Sequence, residues 1–238
     1  MKQITTRQFS VLADCGKIYR FMLDIYFSLK PGYEELASEM IAYADAHMSM
    51  KDGKIQLILF GGQDALMNAA NQAGYNQKSE SWDMQFDFDD VLDYSLPEGF
   101  HFVDPDEYDM DKVSKCCWKG FDHEQNEGSW NHQYEQSNYL LEVAPHATTK
   151  LSVTIADEKG EYACYAGMWW TPENKLAYME PLCTIPEYRR KGLAAAALSE
   201  LYRRTKALGA THMTGGDNGF YKAIGYKPTV KWTWWKKR

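Results

Sequence analysis

Leu182-Cys183-Thr184-Ile185-Pro186-Glu187-Tyr188-Arg189-Arg190-Lys191-Gly192-Leu193-Ala194 joins the end of an apolar strand, a basic turn containing a glycine and the start of an Ala-rich helix. Such a turn suits an anion. Backbone N–H groups and the positive end of the helix point the same way, and Gly192 lets the chain approach phosphate oxygens without a Cβ in between. Arg189, Arg190 and Lys191 add charge-assisted donors. Working outward, the helix carries Leu193, Ala197, Leu201 and Leu208 on one side and Glu200, Arg203, Arg204 and Lys206 largely on the other, with Gly209 as its stop. Upstream lies a meander of three antiparallel strands, Leu151 to Ile155, Tyr162 to Trp170 and Leu176 to Cys183, with turns at Asp157-Glu158-Lys159-Gly160 and Thr171-Pro172-Glu173-Asn174. Downstream come a short strand, Thr211 to Thr214, a Gly-Gly turn, a short helix from about Asn218 to Ile224 and a last strand around Val230 to Trp235.

The basic loop resembles the coenzyme A motif of the GNAT acetyltransferase superfamily, in which Arg or Gln, two residues, Gly, one residue and Gly or Ala follow one another. Phe220-Tyr221-Lys222-Ala223-Ile224-Gly225-Tyr226 is similar to the Tyr-containing helix and Gly-aromatic strand start of the same superfamily. The resemblance covers about residues 97 to 238. It implies an α/β (mixed α+β) GNAT fold, a central mixed sheet flanked by helices, with acetyl-CoA as cosubstrate and no metal. It also implies that the strands Leu176 to Cys183 and Thr211 to Thr214 splay apart around the pantetheine arm. Backbone near Leu182, Cys183 and Thr184 would then hold the arm, and Arg189, Arg190, Lys191, Gly192, Leu193 and Ala194 would hold the pyrophosphate, with Asn218 also in contact. Tyr221 would take the place of the tyrosine that protonates the departing thiolate, as an un-ionised phenol can; the alternative is a packed aromatic on a short helix.

The attacking amine must be neutral, so a general base is expected. Glu180 is the candidate: in an extended strand it shares a face with Leu176, Tyr178 and Leu182, and a carboxylate among aromatics has a raised pKa. The alternatives are an edge glutamate paired to a cation, and a water chain. Cys183 would suggest a covalent acyl-enzyme, but strand alternation turns it away from Glu180 and no His neighbours it in sequence.

The first part of the chain echoes the second. Lys30-Pro31-Gly32-Tyr33 corresponds to Ile185-Pro186-Glu187-Tyr188, and Phe60-Gly61-Gly62 to Thr214-Gly215-Gly216; Tyr33 to Gly62 is 29 residues and Tyr188 to Gly216 is 28. Gly74-Tyr75 matches Gly225-Tyr226, and Leu36, Met40, Ala44 and Met48 give the same amphipathic helix. Glu34-Glu35-Leu36-Ala37 stands where the second part has Arg189-Arg190-Lys191-Gly192, and carboxylates there would repel a pyrophosphate. Too few residues precede Phe27 for a whole meander. The division is therefore residues 1–92, a truncated GNAT-like unit, and 93–238, the acetyltransferase domain; Ser81 to Asp89 alternates as a half-buried strand before the Asp-, Pro- and Gly-bearing connection.

Of the 238 residues 45% are hydrophobic, ample for packed cores. No stretch approaches the ~18 apolar residues of a membrane span, and no signal-peptide pattern opens the chain, so a cytoplasmic protein without a membrane partner is expected. A net charge of −7 argues against a nucleic-acid partner and suits a cationic amine acceptor. Five cysteines, an odd number without metal-ligand spacing, predict reduced thiols, with Cys116-Cys117 in a core. His123 and His132 with Glu124, Glu127 and Glu135 lack tight ligand spacing and read as surface. The competing function is a non-catalytic acyl-CoA-binding or protein-interaction module whose acceptor side the truncation leaves incomplete; a homodimer would restore it.

Overall fold

The computed structural model of the chain describes residues 2–3, 16–21, 24–48, 55–131 and 148–237. Cys15, His132 and Glu135 lie outside them. Two compact units emerge: Met1–Asp83 with Pro228–Arg238, and Met84–Lys227. In chain order the elements are β1 (Lys2–Gln3), β2 (Gly16–Phe21), β3 (Asp24–Leu29), α1 (Ala37–His47), β4 (Gln56–Phe60), α2 (Asp64–Gln72) and β5 (Tyr75–Asp87). They continue with β6 (Phe100–Phe102), α3 (Met110–Gly120), α4 (His123–Glu127), β7 (Val153–Asp157), β8 (Tyr162–Thr171) and β9 (Leu176–Thr184). The last are α5 (Leu193–Lys206), β10 (His212–Gly215), α6 (Gly219–Ala223) and β11 (Lys227–Lys237).

In the first unit β2 and β3 form an antiparallel hairpin, β3 pairs in parallel with β4, and β11 lies antiparallel to β4 with Thr233 opposite Leu59. The parallel step is made through α1, whose Met40, Ile41 and Ala44, with Met48 just after its last turn, pack with Leu57, Leu59 and Leu66. These residues recur at three- and four-residue spacing, the interval that puts side chains on one helical face. The packing boundary at Asp83–Met84 lies ahead of the sequence division at 92–93, because the end of β5 registers on β10, with Phe86 opposite Met213. The final strand groups with the first unit through its ladder to β4.

In the second unit the strand order is β5-β10-β9-β8-β7-β6, antiparallel at every step except the parallel β10–β9 pair. The predicted meander is present, and α5 is its crossover. Leu193, Ala196, Ala197, Leu198 and Leu201 of α5 pack on Ala166, Met168, Ala177 and Met179 of β8 and β9. α3 contributes Val113 and Cys116 to a second cluster with Tyr165, Cys183 and Ile185, so β8 and β9 are packed on both faces. Asp109 caps α3 by accepting from the N–H groups of Asp111 and Lys112. Leu208 is not on the buried face of α5: it follows the last helical turn and is exposed. α4 follows α3, and in it His123 Nδ1 pairs with Glu127 Oε1 at 2.6 Å and the ring stacks on Trp118. Among the described residues no helix is long and apolar enough to cross a membrane, and no cluster of metal-ligating side chains occurs.

Candidate active site

The second unit opens where two neighbouring strands part. β10 pairs with β9 only at His212–Leu176 and Met213–Ala177. Beyond that Thr214 Oγ1 accepts from the Met179 N–H at 2.9 Å, a side chain completing the last rung. β9 then continues to Thr184 on β8, while β10 continues to Gly215 on β5. The Ile185 N–H donates to the Ala163 carbonyl of β8, so by strand alternation the backbone groups of Cys183 face β8 and those of Leu182 and Thr184 face the opening.

A bulge sits at the same place. Met168 is opposite Met179 and Ala166 opposite Leu182, leaving Glu180 and Pro181 against the single residue Gly167. A Cβ on Gly167 would lie 2.3 Å from the Glu180 carbonyl oxygen, so glycine is what permits the crossing. The bulge also corrects the facing read from alternation. Met179 and Leu182, three residues apart, both pack toward α5, while Cys183 packs with Val113 and Cys116 of α3. Glu180, opposite in phase to Met179, therefore lies on the face of Cys183 and not on that of Leu182. Cys183 still takes no part in the opening: its Sγ is buried 3.9 Å from Cys116 Sγ and 3.8 Å from Cys117 Sγ.

The loop before α5 is pinned by its aromatic and cationic side chains. The Tyr188 hydroxyl donates to Asp157 at 2.7 Å and its ring meets Phe100 edge-on. Lys191 Nζ lies 4.8 Å from the Tyr188 ring centroid and 5.9 Å from that of Phe100. Arg189 is committed to protein: Nη2 donates to the Gly120 carbonyl and to Asp122 Oδ1, each at 2.9 Å, and Nε to the Thr184 carbonyl at 3.2 Å. It ties the start of α4 to the end of β9. Arg190 is exposed with φ +67°, and Gly192 has φ +89° with the nearest atom to a Cβ, Pro97 Cγ, 3.9 Å away. Gly192 is thus required by its left-handed backbone. No side chain caps α5, so the amides of Leu193, Ala194 and Ala195 in its first turn keep their donor capacity. A turn of this kind, next to a split between strands, fits a pyrophosphate with an extended arm.

Tyr221 comes from α6, which Asn218 caps: its Oδ1 accepts from the N–H groups of Phe220 at 2.9 Å and Tyr221 at 3.4 Å. Asn218 is therefore occupied at its oxygen. The Tyr221 ring lies on Gly215 and Gly216, where a Cβ would come within 2.5 Å and 3.1 Å of ring carbons, which explains the Gly-Gly turn. The residue is only 6% exposed and packs edge-on against Phe220 and Tyr226. Burial pushes its hydroxyl up to about 12; the Gly216 amide opposes that shift and the Glu180 carboxylate reinforces it. Glu180 is exposed as a residue, yet desolvation of its carboxyl raises its pKa. These two groups therefore sense each other, one from β9 and one from α6.

Sequence reasoning missed the partners of Arg189 and the bulge. Pro181 after Glu180, opposite a lone Gly167, was the available signal for the second.

The first unit shows the corresponding place closed. Gln63 spans β3 and β4, accepting from the Phe60 N–H and donating to the Phe27 carbonyl, both at 2.9 Å. At the loop corresponding to the basic turn, Glu34 accepts from the Gly32 amide at 2.9 Å.

No curated protein matches the chain. Among solved structures it is similar to a GCN5-related N-acetyltransferase from Sphaerobacter thermophilus, with a TM-score of 0.66 at 12% identity over 93% of this chain and 75% of that one. An acetyltransferase of the GNAT family from Colwellia psychrerythraea gives 0.62 at 11% identity, over 94% and 81%. A tandem GNAT protein from the clavulanic acid biosynthesis pathway gives 0.61 at 14% identity, over 93% and 78%. The family model for the acetyltransferase (GNAT) family matches residues 108–226, half of the chain, which holds the parted strands, the α5 loop and Tyr221. The chain belongs to the GNAT acetyltransferase family.

Proposed function

We propose that the chain is a cytoplasmic N-acetyltransferase that moves an acetyl group from acetyl-CoA to a primary amine. The observation that carries this reading is the parting of β9 from β10 beside the uncapped start of α5. Acetyl-CoA supplies an acyl group activated as a thioester. The amides of the first turn of α5 and the exposed Arg190 receive the pyrophosphate, while Leu182 and Thr184 offer backbone groups to the arm. Glu180 takes the proton of the acceptor ammonium, a role favoured by its raised pKa. Tyr221, protonated throughout the neutral range, donates its hydroxyl proton to the departing sulfur. The negative net charge supports a cationic acceptor, and the boundary of the catalytic part is taken near residue 93.

The packing of Tyr221 in the core favours a second reading, coenzyme binding without turnover. Amine-dependent release of free thiol from acetyl-CoA separates the two. Release that falls about a hundredfold in Tyr221→Phe supports the transferase. A chain that binds acetyl-CoA but releases no thiol with any primary amine is the binding module.

A further inference from the structure

Trp169 of β8 and Tyr178 of β9 stand directly opposite each other in the antiparallel ladder. Their ring centroids are 6.3 Å apart at an interplanar angle of 67°. Their neighbours Met168 and Met179 are buried on the α5 side of the sheet, while Tyr178 is 42% exposed on the other. The bulge puts Glu180 on this second face, two residues along β9 from Tyr178. Among the described residues Glu180 has no ion-pair partner, so its charge awaits one. The partly exposed Tyr178 ring and the half-buried Trp169 ring, beside a carboxylate with no counter-ion among the described residues, are suited to an organic cation: the ring faces carry negative quadrupole and the carboxylate the net charge.

We propose that Trp169 and Tyr178 form a cation subsite for the acceptor, and that the acceptor is a compound with two basic nitrogens. One nitrogen, neutral at the moment of attack, reacts beside Glu180. The other stays protonated and lies against the two rings. Residues i and i+2 of a strand are about 6.7 Å apart, a separation that suits a linker of about four or five methylenes and excludes much shorter diamines. A neutral tail of the same length gains contact area but no ring–cation attraction. The proposal rests on the transferase reading, since it assigns the acceptor side of that site.

The test uses the full chain saturated with coenzyme A, which lacks the acyl group and so permits no turnover. Calorimetric titration compares 1,4-diaminobutane and 1,5-diaminopentane with 1-aminobutane and 1-aminopentane. The diamines should bind roughly tenfold more tightly than the monoamines. Trp169→Leu and Tyr178→Leu should abolish that preference, and Trp169→Phe, which keeps a ring, should retain most of it. Melting curves show that each variant is folded. Equal binding of diamine and monoamine, no binding of either, or a preference that survives both Leu variants overturns the proposal. Failure of the transferase reading looks different: diamines bind with the stated preference, yet the acetyl-CoA form releases no thiol.

Discussion

Gly167→Ala perturbs the bulge at Glu180 directly. The added Cβ would meet the Glu180 carbonyl oxygen at 2.3 Å, the Glu180 carbonyl carbon at 3.0 Å and Pro181 Cδ at 2.9 Å. The first contact is about 1.2 Å short of a ~3.5 Å van der Waals separation, and its partner is backbone that cannot swing aside. Relief requires β9 to withdraw from β8 at the bulge, and forced adjustments of this kind cost about 1–3 kcal/mol. For a chain of this length each kcal/mol lowers Tm by about 2–4 °C, so a fall of about 2–12 °C is expected. Because the withdrawal moves the Glu180 backbone itself, kcat/KM for thiol release should drop about a hundredfold, the scale of a misplaced catalytic group. Differential scanning calorimetry and steady-state thiol release measure the two effects. Gly219→Ala, whose Cβ would meet nothing within 4 Å, is the control and should match or slightly exceed the parent in Tm. A Gly167→Ala protein with unchanged Tm and rate would refute the bulge as the element that positions Glu180.

The rate should rise with pH as Glu180 loses its proton, at a pH above the ordinary carboxylate value of 4.5, with no falling limb from Tyr221 until close to about 12. In Glu180→Gln the rising limb should vanish and kcat/KM fall about 10²- to 10⁴-fold, read from the pH profile. Arg189→Ala should lower Tm by a few degrees through its two lost carbonyl contacts; its exposed pair with Asp122 adds only about 0.2–1 kcal/mol. Gln63→Ala removes two hydrogen bonds between β3 and β4 at about 1 kcal/mol each. It should lower Tm while leaving the acetyl-CoA affinity of the second unit unchanged, as calorimetric titration would show.

The fold was legible wherever local pattern and tertiary packing agree. Apolar spacing in Leu193 to Leu201 marks the face of α5 that packs on the sheet, and the turn residues at Asp157 to Gly160 and Thr171 to Asn174 separate the strands of the meander. The echo between the units was also legible, because Gly-Gly turns and Gly-aromatic strand starts are backbone requirements that survive side-chain change. What escaped was phase and partnership. One extra residue at Glu180-Pro181 reverses the facing of Cys183 relative to Glu180, since side chains alternate with a period of two. Strict alternation cannot register such an insertion. Arg189 sits in a basic run, and the sequence did not reveal that its guanidinium also reaches Gly120 and Asp122, far away in sequence. Asn218 reads as a coenzyme contact and caps α6 with its oxygen. Helix capping is local and was open to sequence reasoning; the partners of Arg189 depend on where α3 ends, which no local pattern reveals.

Calorimetric titration of the chain with acetyl-CoA tests the central claim most directly, with Arg190→Glu and Gly192→Val as comparisons. One site per chain with micromolar affinity, about −8 kcal/mol, weakened at least tenfold in both variants, is the expected result and would locate the coenzyme on the α5 loop. Absence of binding, or binding indifferent to both substitutions, would contradict it.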